Sequence, residues 1–128
     1  MEKITSEWIE KAEGDFKVAV RESSAEDAVH DAICFHCHQC VEKYLKAVLV
    51  ENSVKFDKVH DLEILLDNCK SFLPKLESNR EKFIWLTQFS VRVRYPGFEA
   101  TKKESLKALF FAKRLRNGVR KFFKLTEG

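Results

Sequence analysis

The stretch Cys34-Phe35-His36-Cys37-His38-Gln39-Cys40-Val41-Glu42-Lys43-Tyr44-Leu45-Lys46-Ala47 gathers three cysteines and two histidines, and it reads either as a metal site or as part of one long helix. A structural zinc needs four Cys or His ligands in a tetrahedron. One straight helix presents only pairs at i and i+4, such as His30 with Cys34 or Cys34 with His38. His60 and Cys69 could supply the rest, but no spacing aims them at the same point. Cys37 and Cys40 therefore read as small apolar core residues, as free cysteine commonly behaves, and no metal or cofactor is expected.

At about 100° per residue, Val29, Ile33, Cys37, Cys40, Tyr44 and Val48 share one face of this helix, and Cys34, His38, Leu45 and Leu49 form an adjoining stripe. Glu42, Lys43 and Lys46 are left for the wet side. So broad an apolar surface exceeds what one neighbour covers, which predicts a central position, a dimer seam, or both. The helix should run from Ala25 to Val50, with Ser24 and Asp27 as a capping pair at its start.

Working outward, Ile4, Trp8, Ala12, Phe16 and Ala19 mark a first helix over about Thr5 to Glu22. Asn52 to Val59 reads as a loop. His60-Asp61-Leu62 opens a short third helix carrying Leu65, Leu66 and Cys69, and Pro74 closes it. Ser78-x-x-Glu81 is a capping box for a fourth helix with Phe83, Leu86, Phe89 and Val93 inward, which Pro96-Gly97 forbids from continuing. Thr101-x-x-Glu104 caps a fifth, with Ala108, Phe111, Ala112, Leu115, Val119 and Phe122 inward and Lys102, Lys113, Arg120, Lys121 and Lys124 opposite. No segment alternates with period two, so no sheet is expected.

A chain of 128 residues with 34% charged side chains, four Gly and two Pro fits a single helical domain spanning residues 1–128, large enough to bury a core of its own. No apolar run approaches the ~20 residues that span a bilayer, and the N-terminus lacks an apolar signal core. A cytoplasmic protein with reduced thiols is the expectation. The net charge of +3 is unevenly spread: residues 1–100 hold 14 Lys/Arg against 18 Asp/Glu, and residues 101–128 hold 9 against 2. That points to an acidic or phosphate-bearing partner at the C-terminal end, or to a plain solubilising face.

Chemistry has few places to reside. Arg94, in line with Thr87 and Ser90 beside Phe83, suits bidentate recognition of a carboxylate or a phosphate; its possible acid partners are Asp31, Glu42 and Asp61. Arg92 lies with Trp85, away from the core stripe. No histidine has a catalytic neighbour in sequence, and His60 before Asp61 reads as a helix-start residue. Gly-rich phosphate loops, serine elbows and paired carboxylates are absent from the sequence.

Trp8 with Ala12 and Asp15, then Cys34-Phe35-His36 leading into Gln39 and Glu42-Lys43-Tyr44-Leu45-Lys46-Ala47, then His60-Asp61-Leu62, and finally Arg94-Tyr95-Pro96, resemble the HEPN domain, in order and over nearly the whole chain. The resemblance implies an all-α, up-and-down bundle of four long helices plus one short helix, frequently a homodimer, in a family associated with nucleotide or RNA binding. Many members work beside a minimal nucleotidyltransferase in toxin–antitoxin and related systems, and others are metal-independent ribonucleases. The ribonucleases carry a histidine a few residues after the arginine matched by Arg94; here no histidine follows His60. The implied reading is a non-catalytic module in which Arg94 and Tyr95 bind the ligand, His60 and Asp61 adding to them. The alternatives are an endoribonuclease using Arg94 with a histidine from elsewhere, such as His60 or one from a second copy, and an adaptor bundle without ligand. Cys37 and Cys40 match positions that are usually small in the family.

Overall fold

Helix α2, His30–Glu51, is the axis around which the other helices are arranged in the computed structural model, which describes residues 1–126. α1, Lys3–Ser23, lies antiparallel to it: the Glu2 amide donates to Glu51 Oε1 at one end, and the Val29 amide donates to Glu22 Oε2 at the other. α5, Lys102–Phe122, runs parallel to α2, because the Ala100 amide meets Asp31 near the start of α2 while Arg120 meets Tyr44 far along it. α3, Leu62–Cys69, runs in the same direction, and α4, Arg80–Thr87, returns against α3.

The alternation of passes is completed by residues 52–61, an extended limb running back along α2. Its Val54 amide donates to Leu49 O, and at its far end the carbonyl of His60 accepts from His38 Nε2. No strand occurs among the described residues. The all-α bundle with five helices is what the apolar periodicities anticipate; α1, α2 and α5 are the long ones, and α4 is shorter than the sequence suggests.

The core follows from α2 being enclosed on nearly every side. Cys34, Cys37, Cys40, Tyr44, Leu45, Val48 and Leu49 are all fully buried. Enclosure also overturns the expectation that Glu42 and Lys46 face water: they are 3% and 6% exposed. The 52–61 limb covers them, and it has no helical period by which its position could be read. Lys46 Nζ donates to Glu42 Oε2 at 3.0 Å and lies 5.5 and 5.6 Å from the ring centres of Trp8 and Phe56, so each buried charge is compensated locally.

Several boundaries differ from the sequence expectation for local reasons. α2 starts at His30, because Glu22 rather than Ser24 organises the preceding turn; Ser24 turns back to the Val20 carbonyl. The Ser78 box does not form: its hydroxyl donates to Lys75 O within a 3-10 turn, Pro74–Asn79, and α4 begins at Arg80. α4 ends at Thr87, well before Pro96. There the Gln88 side-chain Nε2 and the Ser90 hydroxyl donate back to the carbonyls of Trp85 and Thr87, as the chain tightens into 3-10 turns over Gln88–Ser90 and Arg92–Arg94. Gly97 supplies the left-handed φ of 94° that turns the chain towards α5. The Thr101–Glu104 capping box forms as expected. Ile4, Val29 and Phe122, expected inside, are 47%, 54% and 37% exposed; on α1, Thr5 and Ile9 take the inward register instead.

Candidate functional site

Arg94 leaves the second 3-10 turn with its guanidinium 5.6 Å from the ring centre of Phe35 on α2. Among the described residues it makes no ion pair and no side-chain hydrogen bond. The expected acid partners are engaged elsewhere: Asp31 accepts from the Ala100 amide at 2.6 Å, Glu42 binds Lys46 and His60, and Asp61 caps α3 through the Glu63 amide at 2.9 Å. Arg92 differs, since its Nη1 donates to Gln88 Oε1 and its guanidinium stacks on Phe98.

Arg94 lines an open groove with Asp31, Ala32, Phe35, His36 and Val93 at the N-terminal part of α2. His36 stood in the sequence only as part of the Cys34-Phe35-His36 motif, with no site role assigned to it. Its Nδ1 lies 2.8 Å from Asp15 Oδ1, and Lys43 Nζ donates to the other oxygen of that carboxylate at 2.6 Å. An imidazole that gives its Nδ1 proton to a carboxylate holds a fixed orientation and keeps Nε2 as its free nitrogen. The signal in the sequence is that His36 and Lys43 are two helical turns apart on one stripe, facing an acid on α1.

His60 and Asp61 do not join this groove. His60, whose side chain is 62% exposed, donates from Nδ1 to Glu42 Oε1 at 2.8 Å, about two turns of α2 beyond Phe35. His38 lies beneath, fully buried, with Nε2 on the His60 carbonyl and Nδ1 near Gln39 Oε1. Burial lowers the His38 pKa, and the favourable interactions with Glu42, Gln39 and the His60 carbonyl offset this only in part. Tyr95 is 62% exposed beside Arg94.

Another polar cluster joins α1, α2 and α5. Glu13 accepts from Arg116 at both oxygens and from the Tyr44 hydroxyl at 2.6 Å, while Arg120 donates to Tyr44. Arg120, expected on the solvent side, is thereby turned inward. Burial works to raise the Glu13 carboxyl, but the hydrogen bonds from Arg116 and Tyr44 and the charges of Arg116 and Arg120 hold it below the ordinary glutamate range. Arg116 stands in the apolar register of Ala112 and Val119, which was the available signal for it.

The cysteines are interior. All four are free and buried; burial, the main cause in each case, pushes the Cys34 and Cys69 thiols up to about 12 and those of Cys37 and Cys40 higher still. Among the described residues no three His, Cys, Asp or Glu side chains converge as a metal-binding group, and no helix is long and apolar enough to cross a membrane.

The HEPN domain family model matches residues 5–122. A search of curated proteins and a search of solved structures each find no match.

Proposed function

This chain belongs to the HEPN domain family, and from that premise we propose that it is a nucleotide- or RNA-binding module whose phosphate contact is Arg94, acting as a homodimer beside a minimal nucleotidyltransferase in a toxin–antitoxin-like pair. The observation that carries this reading is the guanidinium of Arg94, which has no ion pair among the described residues and is held over Phe35 in the groove that also contains His36. An arginine without an acid keeps its donors for a phosphate, and an exposed Tyr95 beside it offers a ring for a base. His60 and Asp61 serve the fold in this reading: they fix the Glu42 carboxylate and the start of α3. Reduced, buried thiols accord with a cytoplasmic setting.

Titration of a labelled U-rich RNA and of ATP, at one fixed salt concentration, tests the groove. Arg94→Ala is expected to weaken binding about tenfold, with Arg92→Ala near the parent. Equal losses at both positions would remove the groove from consideration. Leu106 and Phe110, 53% and 61% exposed one turn apart on α5, are apolar surface suited to a second copy; sedimentation at micromolar concentration checks this, and a neighbouring nucleotidyltransferase that co-purifies checks the two-component arrangement.

A second reading, a metal-independent endoribonuclease, is favoured by one observation: Asp15 orients His36 in the groove of Arg94. His36 would then supply the imidazole that no residue after Arg94 provides, with Nε2 as base towards a ribose hydroxyl. Cleavage of structured RNA in the presence of a chelator, abolished by Arg94→Ala and by His36→Ala, would replace the binding reading with this one.

A further inference from the structure

Two hollows, of about 390 and 220 Å³, lie side by side between the Pro74–Asn79 turn and the C-terminal half of α5, with Lys75, Leu76 and Gly118 lining both. The floor is apolar: Phe72, Pro74, Leu76, Val119 and Phe122 face it, with Phe122 left 37% exposed. The rim is cationic, formed by Lys75, Lys82, Arg114 and Lys121, and no carboxylate lines either hollow. None of these four cations makes an ion pair among the described residues, whereas Arg80, Arg116, Arg120, Lys43 and Lys46 all do.

Gly118 lies where the two hollows adjoin. A glycine inside a helix costs about 1 kcal/mol relative to alanine, and such a cost is commonly repaid by close packing against another element. Here a Cβ at position 118 would meet nothing within 4 Å. The missing side chain makes room for nothing in this chain; what it leaves clear is the shared floor of the two hollows.

We infer that this groove docks an acidic amphipathic segment of another protein, with apolar side chains on the floor and carboxylates against Lys75, Lys82, Arg114 and Lys121. Charge complementarity fixes the sign of the partner, and the excess of 9 Lys/Arg over 2 Asp/Glu in residues 101–128 supplies the field around it. The floor favours a peptide over a nucleic acid: Leu73, Leu76, Leu115 and Val119 line it beside the phenylalanines, and leucine-type side chains at helical spacing pack on such a surface better than bases, which need open ring faces to stack on. A second copy of this chain is disfavoured, since an isologous contact would bring the four unpaired cations together. The docking groove is separate from the groove of Arg94 and does not depend on the reading given to it.

The test uses the full chain and three labelled probes: a helical peptide with leucines on one face and glutamates on the other, the same peptide with lysines replacing the glutamates, and a U-rich RNA. Fluorescence anisotropy is expected to show binding of the glutamate peptide only at this groove. Gly118→Trp, whose Cβ meets no neighbouring atom and whose ring would occupy the space over the hollows, should weaken that binding about tenfold or more, as should the surface pair Lys75→Glu with Lys121→Glu; Arg94→Ala should leave it unchanged. Circular dichroism and thermal melts confirm that each variant is folded, and the surface pair stands if Gly118→Trp does not fold. No binding of the glutamate peptide, equal binding of the lysine peptide, or indifference to both groove variants would overturn the inference. Loss of RNA binding instead of peptide binding in these variants would also overturn it, assigning the groove to nucleic acid.

Discussion

Arg116 on α5 holds Glu13 on α1 through two hydrogen bonds, Nε to Oε2 at 2.7 Å and Nη2 to Oε1 at 2.8 Å, so that two long helices with no short connection between them are tied across the side of α2. Arg116 is only 7% exposed. Removing the carboxylate leaves the Nε and Nη2 donors that it accepts from with little water to turn to. Glu13→Gln is expected to cost about 2 kcal/mol, below the range for a fully buried pair because Glu13 is partly exposed; urea unfolding measures it, and a loss under a few tenths would show that solvent compensates Arg116.

On the acid side the pH dependence is led by His38 and Glu13, whose depressed values belong to the interior, whereas those of Glu51, Asp67 and Glu77 belong to exposed pairs. His38 is lowered from 6.5, chiefly by burial, so the stability that depends on its staying neutral is complete above about 6.5 and is lost as pH falls through its folded value. Glu13 is lowered from 4.5 by its arginines and Tyr44 against the opposing effect of burial, so its contribution is complete above about 4.5 and is lost at more acid pH. Stability should therefore fall in two stages on acidification from neutrality, and fall again above about pH 9, where the buried cysteines resist an ionisation open to them in the unfolded chain. Denaturation across pH checks this, with Glu13→Gln removing only the lower stage.

Native thiols should be inert. With Cys37 and Cys40 fully buried and their thiols pushed up, reaction with a thiol reagent at pH 8 should track global unfolding rather than exposure. Cys40→Ala should cost about 1 kcal/mol, and Cys40→Ser about 2 kcal/mol or more, because a hydroxyl there has to be desolvated. Comparable costs for the two would indicate a polar role for that sulfur.

Lys46 compensates Glu42 in a nearly dry site. Lys46→Met alone should destabilise by about 3 kcal/mol, whereas Lys46→Met combined with Glu42→Gln should recover much of the loss. A double-mutant cycle in urea measures the difference; additive losses would mean that the aromatic rings, and not the carboxylate, hold the ammonium.

The helices were legible wherever one face is apolar and the ends carry their own signal. Thr101 and Glu104 are the clearest case, since both halves of the capping box form. Ser78 and Glu81 have the same spacing and fail, because Pro74 commits the preceding residues to a 3-10 turn in which Ser78 bonds to Lys75. Position in sequence does not say which carbonyl a hydroxyl reaches first. The enclosure of Glu42 and Lys46 was illegible for a different reason: the limb that covers them, through Phe56 and His60, is extended and irregular. For the candidate groove, Arg94 could be picked out by residue type, whereas His36 required knowing that α1 brings Asp15 alongside α2.

The shared direction of α2, α3 and α5 carries one more implication. Two of the three long helices, α2 and α5, begin at the end of the molecule that Arg94 overlooks and one, α1, ends there, so their peptide dipoles cancel only in part and a weak positive backbone potential is left at that end. A negatively charged visitor is thus aligned before any side chain touches it. That alignment belongs to the main chain, which no single substitution can erase and only dissolved salt can mute.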